Sequence, residues 1–275
     1  MDQIPPDKPQ RVQHPLEAPP PAPIPQPQRT MVRIVGPDSP PVAMYTIIAL
    51  NVVIFMVDMI SHYALTNAGA KVNELILFQY QFWRLITPIF LHAGFIHLGL
   101  NCYSLYLFGR QIERSFGTWR FLSVYMLSGI AGVVASLAFS PGASIGASGA
   151  VFGLIGSMIP FLYHNRTVLA NPQSAINQII GLIVFNLGFG LLNNLLAGQG
   201  TGVLIDNWGH IGGLATGLAM AWFISPRLMP TALVSDIIRL NDTSSSRIAF
   251  AVSLITSLVL MTAVAVIVLI NRVSL

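Results

Sequence analysis

The sequence predicts an all-α polytopic membrane protein with seven spanning helices, and three observations predict it. Of 275 residues, 53% are hydrophobic and only 9% are charged, whereas a soluble domain carries about a quarter charged residues. The apolar residues gather into seven stretches, most of them near the ~20 residues that cross a hydrocarbon core. The basic residues fall mainly on alternate connections between those stretches. Lipid, rather than water, is therefore the expected solvent for most of the surface.

Residues 1–40 are dense in proline and glutamine, as in Pro19-Pro20-Pro21-Ala22-Pro23. Such a stretch buries nothing and is expected to be a disordered, polyproline-like tail. It lacks the charged-then-apolar plan of a cleavable leader. The first span runs from Val42 to His62 and contains Asn51 and Asp58. The connection from about Leu65 to Phe95 is long and rich in aromatics (Phe78, Tyr80, Phe82, Trp83), which suits the membrane interface. The second span covers about Phe95–Phe108, the third Phe121–Phe139 and the fourth Ala147–Tyr163. The fifth covers Ile176–Leu196 and the sixth Trp208–Ile224. The second and fourth are short, so they are expected to begin inside a protein-lined or water-filled cavity. Residues 41–225 thus form a core, 226–247 a polar linker and 248–270 a last, clean span.

Charge placement orients the chain. Eleven basic residues, among them Arg110, Arg114, Arg120, Arg166 and Arg227, lie on one side, and only Lys71, Arg84 and Arg272 on the other. This bias predicts a cytoplasmic N-terminus, with Asn101, Ser148 and His210 near the outer ends of their helices. The basic balance reads as topology and contact with anionic lipid of the bilayer, not as a nucleic-acid surface. Cys102 is the single cysteine, so no internal disulfide forms. Oligomeric state leaves no signature in the sequence.

Polar groups inside apolar spans mark chemistry. Ser148 follows Pro141-Gly142, which interrupts the apolar run, so it is expected to open a helix. Backbone N–H groups at a helix start have no intrahelical partner and suit an anion. A serine in that position also serves as a cap or as a small residue in a helix interface. His210 lies in Gly209-His210-Ile211-Gly212-Gly213, and Gly209, Gly213 and Gly217 form a doubled G-x-x-x-G stripe. Such a stripe brings two helices close together. Against a face carrying Gly149 and Gly153, it would put an imidazole beside a hydroxyl, the pairing of a general base and a nucleophile.

His97 and Asn101 are four residues apart and share a helix face. Side-chain donors of this kind stabilise a developing oxyanion. His92, His97 and His210 are also conceivable metal ligands, but no H-E-x-x-H occurs and no carboxylate accompanies them, so neither metal nor cofactor is expected. Asp206 lies four residues before His210 and reads as a helix cap or as a third catalytic member, the cap being favoured.

These motifs together resemble the rhomboid family of intramembrane serine proteases, over about residues 45–225. The resemblance implies a six-helix bundle of bacterial type, with one added C-terminal transmembrane helix. It implies Ser148 as nucleophile and His210 as base of a dyad without an acid. His97, Asn101 and the Ser148 backbone N–H would form the oxyanion site. Phe82-Trp83-Arg84 is similar to the tryptophan-arginine element of the family's first loop, and Gly109, Glu113 and Gly117 to its G-x-x-x-E-x-x-x-G run. His92 matches a histidine near the water cavity of some members. Phe152 departs from the tyrosine that many bacterial members place beneath the imidazole. The implied substrates are transmembrane segments of other proteins, and the implied location is a bacterial inner membrane. The alternative is a non-catalytic scaffold on the same fold that binds transmembrane clients.

Overall fold

The computed structural model describes residues 33–197, 204–234 and 237–273. Most of the proline-rich tail expected over residues 1–40 lies outside the described residues. The first span is α1 (Val42–Ile60). The aromatic connection folds into α2 (Ala64–Gly69), α3 (Asn73–Gln79) and two 3-10 turns, Phe82–Leu85 and Thr87–Phe90. The second span is α4 (Phe95–Ser104), which runs through a π-helical turn at Leu105–Gly109 into α5 (Arg110–Phe116). The remaining spans are α6 (Thr118–Phe139), α7 (Ser148–His164), α8 (Pro172–Leu196), α9 (Asn207–Ile224) and α10 (Ser246–Val273).

Every predicted span is found as a helix, and the protein is an all-α polytopic membrane protein. Among the described residues, α1, α6, α8 and α10 are long and apolar enough to cross a membrane alone. The other three, α4, α7 and α9, carry Asn101, Ser148 and His210. Each of the three buries part of its surface against the neighbouring helices, while Ile96, Leu100 and Phe223 remain exposed.

The centre of the molecule is the trio α6, α7 and α9. About 61% of the apolar window of α6 is buried, against 11% for α8 and 6% for α10. Glycine makes this packing possible. A Cβ on Gly213 would collide with the carbonyl oxygen of Gly149, and one on Gly217 with that of Gly153. A Cβ on Gly132 of α6 would lie 2.6 Å from the Gly209 carbonyl oxygen. The backbones touch, as the spacing of the stripe predicts.

Polar side chains fix the ends. Buried Glu113 accepts from the backbone N–H groups of Ala43 (3.0 Å) and Met44 (2.7 Å) and from Thr118 Oγ1 (2.8 Å). It therefore satisfies donors in the first turn of α1 from another helix. Arg84 is buried and donates to the carbonyl oxygens of Ala70 (2.7 Å) and Asn67 (2.9 Å). Trp83 Nε1 donates to Ala68 O at 3.0 Å. These bonds hold the first connection as a folded unit.

The polar linker departs from a plain tether. Strands β2 (Leu228–Val234) and β3 (Ile237–Asp242) pair antiparallel, and β1 (Arg33–Val35) adds to β3 in parallel, in the order β1-β3-β2. Buried Asn165, just past α7, donates to Pro226 O (2.9 Å) and accepts from Leu228 N–H (2.7 Å). Arg120, near the start of α6, forms an ion pair with Asp242. The sheet sits at the opposite end of α7 from Ser148.

Candidate active site

Ser148 is the first residue of α7 and His210 lies in the first turn of α9. The glycine contacts between those helices bring His210 Nε2 to 2.9 Å from Ser148 Oγ. That is hydrogen-bond distance, and both residues are partly buried. Phe152, one turn along α7, lies flat against the imidazole, with ring centroids 4.3 Å apart and planes 10° from parallel. The ring is held from below by stacking and in front by the serine.

Asp206 caps α9, with its Oδ1 accepting from Gly209 N–H at 3.0 Å. His210 Nδ1 is buried and meets no hydrogen-bond partner among the described residues. Among the described residues, then, no carboxylate hydrogen-bonds to the His210 ring. No side chain caps the start of α7, so the first-turn N–H groups stay available to a ligand.

The approach to Ser148 is shaped by Gly146. It adopts φ +135°, a backbone conformation that glycine alone enters freely. A Cβ there would lie 2.8 Å from both Cε1 and Nε2 of His97, and 3.7 Å from Ser148 Oγ. His97 is thus next to the serine. Its Nδ1 accepts from Ala93 N–H at 3.2 Å, which leaves the proton of the neutral ring on Nε2, the edge turned toward Gly146. Asn101 is buried one turn further along α4, with Nδ2 donating to His97 O at 2.9 Å. Buried His92 sits behind His97, ring centroids 5.3 Å apart. The π-helical turn begins four residues after Asn101, the kind of irregularity that often adjoins a functional site. Among the described residues, no cluster of three or more histidine, cysteine or acidic side chains could hold a metal ion.

Two residues near the pair were given no role by the sequence. Gly146 carries a signal in hindsight, a glycine two residues before a helix-opening serine. Lys71 carries none: it lies in the first connection, yet its buried ammonium reaches the segment leading into α7.

Comparison with known proteins finds relatives over the segment that holds these side chains. A rhomboid domain matches residues 79–227, which contain His97, Asn101, Ser148 and His210. The chain is 38% identical over 221 residues to the rhomboid protease GluP of Bacillus subtilis (strain 168), covering 75% of this chain and 41% of that protein. It is 36% identical over 170 residues to RHOMBOID-like protein 1 of Arabidopsis thaliana, covering 61% of this chain and 41% of that protein. It is also 38% identical over 143 residues to the mitochondrial RHOMBOID-like protein 6 of the same plant, covering 52% and 43%. The matches thus span about two fifths of each relative's length. With the domain matched over more than half of its residues, the chain belongs to the rhomboid family.

Proposed function

We propose that this protein is an intramembrane serine endopeptidase acting through a Ser148–His210 dyad. The observation that carries the reading is the 2.9 Å contact between His210 Nε2 and Ser148 Oγ across two helices locked together by glycine. Neutral His210 accepts the serine proton at Nε2 as Oγ attacks the carbonyl carbon of a peptide bond. The oxygen of the tetrahedral intermediate then carries a negative charge. The Ser148 backbone N–H, His97 Nε2–H and the Asn101 amide are the donors that stabilise it. Collapse breaks the C–N bond, and His210 returns its proton to the leaving amine. Water then attacks the acyl ester, giving its proton to His210. The C–Oγ bond breaks and His210 passes that proton to Oγ, releasing the carboxyl product and restoring the free serine and neutral imidazole. Phe152 stacking takes the orienting role that a carboxylate plays elsewhere.

The substrate is a transmembrane segment of another protein, presented in extended form because helical carbonyls are already hydrogen-bonded. Small residues near its end weaken the helix there. The proposed location is a bacterial inner membrane, and the charge bias supports a cytoplasmic N-terminus with the dyad toward the extracytoplasmic face. The test is cleavage of a designed single-span substrate by the purified full chain in detergent. Ser148→Ala and His210→Ala are expected to lower turnover by at least about 10³-fold, with thermal stability unchanged. Labelling of Ser148 by a fluorophosphonate is expected in the wild type. Cleavage that persists in Ser148→Ala would refute the dyad, and a folded wild type that neither cleaves nor labels would favour a client-binding scaffold.

A further inference from the structure

We propose that Lys71 is a positioning residue for Ser148, clamping the segment between α6 and α7 so that the nucleophile and its backbone N–H keep their places. The inference rests on the dyad reading above. Lys71 is fully buried, and a buried ammonium is costly unless its donors are used. Nζ donates to the carbonyl oxygens of Ser140 (2.7 Å) and Gly142 (2.8 Å), which follow the C-terminus of α6. That helix end carries partial negative charge and favours a cation. The backbone of the same residue pairs with Ser144 in both directions, N–H to O at 3.0 Å and O to N–H at 3.1 Å. Asn73 adds donors to Leu137 O (3.3 Å) and Ser140 O (3.1 Å). The Gly146 N–H then donates to Pro88 O at 2.8 Å, two residues before Ser148. Lys71 thus grips the approach to the nucleophile by side chain and backbone at once.

The charged surroundings are sparse. Residues 137–147 present carbonyls and hydroxyls and no ionisable side chain. The head of α9 contributes Asp206, and the connection itself holds Glu74 and Arg84, the latter bonded to Ala70 O. Burial lowers the Lys71 ammonium from 10.5 to about 8, with the Asp206 charge pulling it partly back. Deprotonation weakens the two charge-assisted bonds. The sign for stability is opposite. Between pH 8 and 10.5 the folded protein binds fewer protons at this site than the unfolded chain, so stability rises with pH across that window. Turnover is therefore expected to fall while the fold becomes firmer, a combination that loss of folding does not produce.

The experiment measures kcat, KM and thermal stability of the full chain on a designed single-span substrate from pH 6 to 10, with Ser148→Ala and a fluorophosphonate label as controls. Lys71→Met is expected to lower kcat about 10- to 100-fold, since small misplacements of a reacting group cost that much, with KM within about twofold. Lys71→Arg, charged at every pH tested, is expected to retain more of kcat than Lys71→Met and to lose the alkaline fall near pH 8. If Lys71→Met fails to fold, the wild-type and Lys71→Arg pH profiles decide alone. Identical alkaline limbs in those two proteins would overturn the clamp, as would wild-type kcat in Lys71→Met. In either case a dead Ser148→Ala leaves the dyad standing. Wild type that neither cleaves nor labels removes the dyad, and the clamp with it.

Discussion

In the proposed dyad, Phe152 orients the His210 imidazole by stacking. Its ring lies 4.3 Å from the His210 ring and nearly parallel to it, and aromatic pairs of this kind contribute about 0.5–1.5 kcal/mol. Phe152→Ala should therefore cut turnover by roughly tenfold, whereas Phe152→Tyr should remain near wild type. Steady-state kinetics on the same designed substrate check both. The candidates Ser148, His210, His97 and Asn101 stand out in the sequence because each places a polar group in an apolar run. Lys71 does not. A lysine in an aromatic connection reads as an interfacial charge, and its burial depends on carbonyls 69 and 71 residues away. No local pattern encodes a contact of that span.

At the scale of elements, the trio α6, α7 and α9 joins backbone contact at its glycines to a core of large side chains such as Tyr125, Leu154 and Met220. Alanine for glycine within a helix usually stabilises by up to about 1 kcal/mol. Gly213→Ala should do the reverse, because its Cβ meets the Gly149 carbonyl, part of a backbone that cannot rotate aside. Overpacking of this kind costs about 1–3 kcal/mol, and the rings of Phe152 and His210 would separate with the helices. A lowered thermal midpoint together with reduced fluorophosphonate labelling is the expected result, and Gly181→Ala, where a Cβ meets nothing within 4 Å, is the control. The stripe itself was legible as Gly209, Gly213 and Gly217. The linker sheet was not, since β3 pairs with a strand some two hundred residues earlier in the chain, and residues 226–247 read locally as merely polar.

Across the whole molecule, the spans divide by duty. α8 and α10 lie at the periphery with most of their surface uncovered, while α6 is largely enclosed. Of the seven spans, the number and order were legible from hydropathy alone. What hydropathy could not give was which faces meet, because an apolar helix turned toward lipid and one turned toward protein share a composition. The glycine stripe of α9 marked one such face, whereas Gly181 and Gly188 of peripheral α8 meet nothing within 4 Å.

The same division bears on how the protein is made. A helix enters the bilayer from the secretion channel by its own transfer free energy, and α10 is well equipped to do so. α9 begins Asn207-Trp208-Gly209-His210 and falls short of that standard. Placed alone in a glycosylation reporter, α10 should insert almost completely and α9 in less than about half of the molecules. Adding α6 and α7 ahead of α9 should restore its insertion, because the partners that receive its glycine face are then already in the membrane. The histidine would thus reach the bilayer only in the company of the serine, and a ribosome stalled before Asn207 would leave behind an embedded fragment that holds Ser148 without the proposed base.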